Sequence, residues 1–311
     1  MNLEGRIIQS TGKWVKVDTG KEVIDCRIPG KFRLQGAEVT NPVAVGDLVE
    51  IEHLEEGTGM IRTISERKNY LPREATHGRR GEQILASNID LAWVVQSVRN
   101  PKLKSGFIDR LLIAAEAYDL PAGIIINKLD LAKKSDLSWL EELRKLYTGL
   151  GYPFLTVSAL ESESLEEITE TLNGGTGVLV GPSGSGKSTL LNALVPGLNQ
   201  PVGEVSVSSK KGIHTTTFTR LVQLPVSGYI ADTPGIRELG LVNISPPELS
   251  LYYPEMREVR QQCRFYNCTH SHEPLCGVVA AFEAGKIHPE RYHNYLNILE
   301  SLEGADGNIS N

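Results

Sequence analysis

Chemistry enters this chain at three stretches whose residue types and spacing suit an anion, a purine edge and a metal ion. The first runs Gly181, Pro182, Ser183, Gly184, Ser185, Gly186, Lys187, Ser188, Thr189. It fits G-x-x-x-x-G-K-[ST], with Gly181, Gly186, Lys187 and Ser188 on the fixed positions. Glycines there let successive backbone N–H groups curl around one anion at a helix N-terminus. Lys187 is then expected to reach the β- and γ-phosphates, and the Ser188 hydroxyl to sit on Mg²⁺. The second stretch is Asn127-Lys128-Leu129-Asp130, directly after an apolar run. A carboxylate such as Asp130 accepts two hydrogen bonds from the N1–H and exocyclic amine of guanine. Adenine has no such donor pair, so ATP would leave the carboxylate unpaired. The expected nucleotide is GTP or GDP, with Asn127 and Lys128 bracing the loop and packing along the base. Ser158 and Ala159, after the next strand, are placed in the same pocket. The third stretch holds Cys263, Cys268, His270 and Cys276, spaced C-x₄-C-x-H-x₅-C. Three thiolates and an imidazole suit a tetrahedral zinc whose filled shell leaves no position for chemistry, so the ion is expected to be structural. His272 is a second choice for the imidazole.

Two polar segments extend the nucleotide assignment. In Lys210–Thr217 a threonine hydroxyl completes the Mg²⁺ shell and senses the γ-phosphate. Thr215 and Thr216 both qualify, and Thr216 is taken as the magnesium ligand. In Asp232-Thr233-Pro234-Gly235, Asp232 is expected to hold a magnesium-bound water and the Gly235 N–H to contact the γ-phosphate. The next residue is Ile236, where many GTPases carry a water-orienting glutamine, so unassisted turnover is expected to be slow.

The elements that must position these residues follow from hydrophobic periodicity. Residues 3–65 read as five short β-rich runs: Arg6–Gln9, Trp14–Val17, Val23–Ile28, Leu48–Ile51 and Met60–Ile64. Turn signals such as Thr19-Gly20 and Val45-Gly46-Asp47 separate them, which suggests an OB-fold barrel. Trp14 and Cys26 are assigned to its core. Such barrels often bind single-stranded nucleic acid, and residues 1–36 carry seven Lys/Arg against four Asp/Glu. Residues 65–88 lose periodicity and gain charge, as a solvated linker or a mobile RNA-binding loop would. From residue 89, strands and helices alternate through Leu91–Gln96, Phe107–Tyr118, Gly123–Ile126, Asp136–Tyr147, Pro153–Val157 and Leu165–Leu172, implying a parallel sheet with helices on both faces. Residues 244–311 are mainly helical. The reading is therefore α/β with three domains: an OB-fold β-barrel (1–67), a P-loop GTPase domain (68–243) and a helical zinc-binding domain (244–311). The guanine tetrad precedes the phosphate loop, the reverse of ordinary small GTPases, so the GTPase domain reads as circularly permuted. The segment after Gly235 then runs straight into the C-terminal module, which nucleotide state is expected to move.

Composition bounds the partners. The 311 residues carry a net charge of −6 and are 40% hydrophobic. No run of eighteen apolar residues exists, and the N-terminus lacks a signal peptide's apolar core, so no membrane partner and a cytoplasmic location are expected. Four cysteines are too few for a disulfide framework in a chain this long. A monomer is expected, since each domain already has a task.

With these motifs in hand, the chain resembles the ribosome small subunit-dependent GTPase (RsgA) family over nearly its whole length. The resemblance rests on the front barrel, the permuted order, Asn127–Asp130, Gly181–Thr189, His214-Thr215-Thr216-Thr217, Asp232–Gly235 and the Cys₃His set. It implies GTP hydrolysis stimulated by the small ribosomal subunit and its 16S rRNA, a role in late maturation of that subunit, and release on hydrolysis. It also makes His214 a candidate catalytic residue beside Lys187. A loop histidine touching RNA or solvent is the alternative for His214. Family members often carry Arg or Gln before the His-Thr-Thr-Thr run; here the residue is Ile213. A large-subunit GTPase and a nucleotide-regulated RNA scaffold are the competing readings, and a metabolic ATPase is disfavoured by Asp130.

Overall fold

The structure, a computed structural model, describes residues 2–30, 32, 42–54, 57–73, 83–161, 165–198, 219–232 and 244–306. Five strands open the chain: β1 (Asn2–Ser10), β2 (Trp14–Asp18), β3 (Val23–Arg27), β4 (Leu48–His53) and β5 (Thr58–Ile64). They close in the order β1-β2-β3-β5-β4-β1, with only β3–β5 parallel. Alternation drives closure: Val15 and Val17, Ile24 and Cys26, and Val49 and Ile51 point inward on successive strands and are buried. Trp14 corrects the sequence reading. It precedes inward Val15 and therefore falls on the outer face, 36% exposed, with the Arg27 guanidinium 4.7 Å from its ring centroid.

Residues 65–88 also differ from expectation. Residues on both sides of 74–82 form a hairpin, β6 (Tyr70–Arg73) against β7 (Gln83–Ser87). Arg67 is not solvated either. Its Nε and Nη2 lie 2.7 and 2.8 Å from the two oxygens of Asp47, which is fully buried and also accepts from Ser87 Oγ and Ala44 N.

The remaining strands build the central sheet: β8 (Leu91–Ser97), β9 (Ala122–Asn127), β10 (Phe154–Thr156), β11 (Thr176–Val180), β12 (Arg220–Gln223) and β13 (Tyr229–Asp232). Their order is β10-β9-β8-β11-β13-β12, parallel except for β12. Side chains alternate between two cores, as a sheet covered on both faces requires. Ala92, Val94, Ile124, Ile126, Val178 and Val180 pack with α1 (Ser105–Ala117) and α2 (Lys134–Gly149) on one face. Trp93, Val95, Ile125 and Leu179 pack with α3 (Glu166–Leu172) and α4 (Lys187–Leu194) on the other.

The barrel continues this sheet. A bulge between Ile7 and Gln9 bends β1, and past it Gln9 pairs with Lys16 on β2 on one side and with Arg220 on β12 on the other. Two side-chain bonds flank that pair: Arg6 Nη1 donates to Thr176 Oγ1 (2.9 Å) and Tyr229 OH to Asp18 Oδ2 (2.8 Å).

The C-terminal module contains a 3₁₀ turn (Pro246–Tyr252), α5 (Pro254–Arg257), a 3₁₀ turn (Val259–Gln262), α6 (Gly277–Glu283) and α7 (Pro289–Asp306). It is fastened to α1 by buried charge. Asp109 accepts from Arg291 Nη1 (2.5 Å), Tyr147 OH (2.7 Å) and Asn294 Nδ2 (2.7 Å), while Arg291 also pairs with Glu255. Asp109 and Arg291 are at most 1% exposed. The module is thereby tied to α1, and the segment after Gly235, through which nucleotide state is expected to move it, lies outside the described residues.

Candidate functional site

Because β8, β9, β10, β11 and β13 run parallel, their carboxyl ends share one edge, where open α/β sheets bind ligands. Asn127 ends β9, Ser158 and Ala159 follow β10, Gly181 follows β11, and Asp232 ends β13. The guanine and phosphate motifs, 51 positions apart from Asp130 to Gly181 in the chain, are thereby neighbours in space.

The phosphate loop is shaped by close approaches that only glycine permits. A Cβ on Gly181 would collide with the Val95 carbonyl, and one on Gly186 (φ 92°) with Nδ2 of Asn127. Gly186 caps α4, so Lys187, Ser188 and Thr189 occupy its first turn with their side chains half-buried. Lys187 Nζ donates to the carbonyls of Gly181 (2.7 Å) and Pro182 (2.8 Å), which holds the ammonium over the loop. Pro182 is half-buried, while Ser183 and Gly184 form the exposed crown. Ser185 Oγ is fully buried and has no hydrogen-bond partner among the described residues. An orphaned hydroxyl inside a loop of this shape fits an anion that would satisfy it.

Asn127 stitches the pocket together. Its Nδ2 donates to the Ser185 carbonyl (3.1 Å), and its Oδ1 accepts from the backbone N–H of Lys128 (2.8 Å) and of Ala159 (3.2 Å). At 1% exposure it is a brace between three loops. Lys128 adopts a left-handed conformation (φ 62°) and its Nζ donates to the Asn100 carbonyl. Asp130 stands exposed on the rim, with Ser158 Oγ donating to its Oδ1 at 2.9 Å. Asp232, 8% exposed, is paired with Arg220: Nε to Oδ2 is 3.0 Å. His214, Thr215, Thr216 and Gly235 lie outside the described residues.

The second site is the Cys₃His cluster. The ligand atoms of Cys263, Cys268, His270 and Cys276 all lie within 4.8 Å of one another. Bonds of about 2.3 Å at tetrahedral angles put sulfur atoms ~3.8 Å apart. Cys263 Sγ and Cys276 Sγ are 3.8 Å apart, and His270 Nδ1 is 3.4 and 3.3 Å from them. The donor set therefore fits a tetrahedral ion. His270 Nε2 is engaged by Ser250 Oγ at 2.9 Å, which leaves Nδ1 facing the thiols. Burial, with the Arg260 charge, pushes this imidazole down to about 4, so it is a neutral donor at physiological pH. Burial pushes the Cys268 and Cys276 thiols up, and a central divalent charge is what would hold three thiolates together. Amide N–H groups of Gly277 and Val279 point at Cys263 and Cys276 Sγ. His272 turns away and bonds Ser271 Oγ.

Comparison with known proteins decides the family. The RsgA GTPase family model matches residues 64–242, and the RsgA N-terminal domain model matches residues 4–61. The chain belongs to the RsgA GTPase family. It is 44% identical over 303 residues to the small ribosomal subunit biogenesis GTPase RsgA of Bacteroides fragilis, covering 97% of both chains. A protein of the same description from Flavobacterium johnsoniae is 41% identical over 305 residues, covering 97% of this chain and 94% of its own. Among crystal structures, YjeQ from Thermotoga maritima superposes with a TM-score of 0.80 at 35% identity over 98% of this chain and 99% of that one. YloQ, a circularly permuted GTPase, gives 0.78 at 29% identity over 98% and 96%. The front barrel, the permuted order and the α/β class expected from the sequence are thus those of the RsgA fold.

Two parts of this RsgA pocket escaped the motif reading. One is the loop after β8. Gln96 Nε2 and Ser97 Oγ tie it to Lys104 O and Pro101 O, Arg99 pairs with Asp136, and Asn100 receives Lys128. Its position at the carboxyl end of a parallel strand was the available signal. The other is Arg220, which nothing in the sequence around it marks.

Proposed function

We propose that this RsgA-family chain binds GTP across the rim formed by Gly181–Thr189 and Asn127–Asp130 and hydrolyses it on the small ribosomal subunit during late maturation of that subunit. The observation that supports the reading is the three-loop brace at Asn127, because it ties the loop that carries Asp130 to the glycine loop and to Ala159. Asp130 selects guanine, Lys128 packs along the base, and Ser158 and Ala159 close the base side. The N–H groups of the glycine loop and Lys187 bind the phosphates, a task that in phosphoryl transfer is mostly positioning and charge stabilisation. Ser188 and one of Thr215 and Thr216 hold Mg²⁺, which neutralises charge on the phosphate oxygens when bound, and Asp232 and Gly235 complete the γ-phosphate side. With Ile236 unable to orient water, turnover waits for 16S rRNA to order the switch and bring His214 to the attacking water. The exposed Trp14–Arg27 pair supports a role for the barrel in contacting RNA, since an aromatic face under a guanidinium suits base stacking. A structural zinc fills the Cys₃His set. The protein is read as a cytoplasmic monomer that works on ribosomal particles; no helix among the described residues is long and apolar enough to cross a membrane.

The test is steady-state hydrolysis of GTP and ATP with and without purified small subunits, large subunits and intact ribosomes. Turnover of GTP alone, stimulated by small subunits, is expected; equal turnover with every addition would favour an RNA scaffold with incidental hydrolysis. Asp130→Asn replaces the acceptor pair by an amide and is expected to move preference from GTP toward xanthosine triphosphate by roughly five- to a hundredfold, since a polar group left mismatched against the bound base costs about 1–3 kcal/mol. Unchanged preference would overturn the guanine assignment.

A further inference from the structure

β12 and β13 pair antiparallel, and Arg220 stands directly opposite Asp232, so their side chains lie on one face of the sheet. The Nε–Oδ2 distance is 3.0 Å, and the carboxylate is 8% exposed. A carboxylate that buried needs a charged or hydrogen-bonding partner to hold one orientation. Strand order shows from which side Arg220 supplies it. The sequence across the sheet is β11-β13-β12, so the phosphate loop, which follows β11, flanks β13 on one side and Arg220 flanks it on the other. The guanidinium thus reaches Asp232 from the neighbouring strand on the side away from β11.

We propose that Arg220 is a positioning residue for Asp232 and thereby sets how much Mg²⁺ nucleotide binding requires. The proposal rests on the reading of Asp232 as the holder of a magnesium-bound water. Partners that orient a metal site from outside its ligand shell matter to the metal more than to the rest of the ligand. Among the described residues the Arg220 side chain bonds Asp232, so its loss is expected in the metal term of binding. Lysine at this position keeps the charge but not the planar fork, and restores part of the effect.

The experiment uses the full chain and GDP carrying a fluorescent methylanthraniloyl group, with dissociation followed across a Mg²⁺ titration and in EDTA. Arg220→Gln is expected to raise the Mg²⁺ concentration for half-maximal slowing of release roughly tenfold, the low end of what losing an outer partner costs a metal site. Release in EDTA is expected to match the unsubstituted protein, and Arg220→Lys to fall between. An equal loss of affinity with and without Mg²⁺ would show a merely structural role and overturn the proposal. A lower Mg²⁺ requirement would also overturn it, because Arg220 would then be competing with the ion. Asp232→Ala separates the two readings. If it raises the Mg²⁺ requirement while Arg220→Gln does not, Asp232 keeps its role and Arg220 loses the one proposed. If neither variant shifts the titration, the reading of Asp232 fails and the proposal falls with it.

Discussion

The central sheet meets the barrel through a strand edge and a shared apolar core, and the C-terminal module through buried charge. At the barrel side, β1 extends the sheet by one register pair, Gln9 with Arg220, flanked by the Arg6–Thr176 and Tyr229–Asp18 bonds at partly buried positions. At the other side, Asp109, Arg291 and Glu255 are each less than a tenth exposed as side chains and are bonded into one network between α1, α5 and α7. A buried ion pair is costly to break and has few alternative geometries. The barrel shares an apolar core with the sheet and takes buried bonds from Ser87 and Asn88. At the β1–β12 edge itself, however, one register pair among the described residues and two partly buried side-chain bonds can shift at less cost than the ion pair. The soft junction is also the one on the switch side, since Arg220 touches both Gln9 and Asp232. A change at Asp232 on nucleotide exchange is therefore expected to reach the barrel before the C-terminal module, which is tied to α1.

This contrast can be broken from either side. The largest effect is expected from removing the metal. Structural zinc in small domains supplies about 10–16 kcal/mol of apparent binding free energy that is also folding free energy. Cys268→Ser, or a strong chelator, should unfold the module locally. The clamp should go with it, because Tyr292 and Tyr295 on α7 bond the carbonyls of His270 and Thr269. Metal analysis alongside circular dichroism checks this, and GDP affinity should persist. Next comes Arg291→Met, which strands Asp109 and Glu255 and should cost about 3–5 kcal/mol in denaturant unfolding. Replacing all three charges together by apolar residues should recover much of that loss. The smallest effect is expected at the barrel: Tyr229→Phe removes one partly exposed hydrogen bond and should cost about 1 kcal/mol. A cost equal to that of Arg291→Met would erase the distinction between the junctions.

The parts proposed to face ligands are legible in the sequence because a ligand fixes residue type at fixed spacing. On the proposed reading phosphate accounts for Gly181, Gly186 and Lys187, guanine for Asp130, and a tetrahedral ion for Cys263, Cys268, His270 and Cys276. Strands and helices were legible wherever one face is apolar. The contacts that fix the parts to one another were not. Asp47, Arg67, Asp109 and Arg291 look like solvated surface until the fold is known, and the partners of the last pair lie 182 positions apart. Trp14 is a different lesson. The alternation that buries Val15 and Val17 already assigned it to the outer face, and its large apolar ring outweighed that pattern in the sequence reading.

Hydrogen–deuterium exchange of the metal-loaded protein, compared between GDP and a non-hydrolysable GTP analogue, tests the two-junction account most directly. Exchange is expected to change at β12 and at the end of β1 around Gln9, and to stay the same across α1 and α7. A nucleotide-dependent change at α7 with β1 and β12 silent would contradict it, and would make the C-terminal module the part that nucleotide state moves.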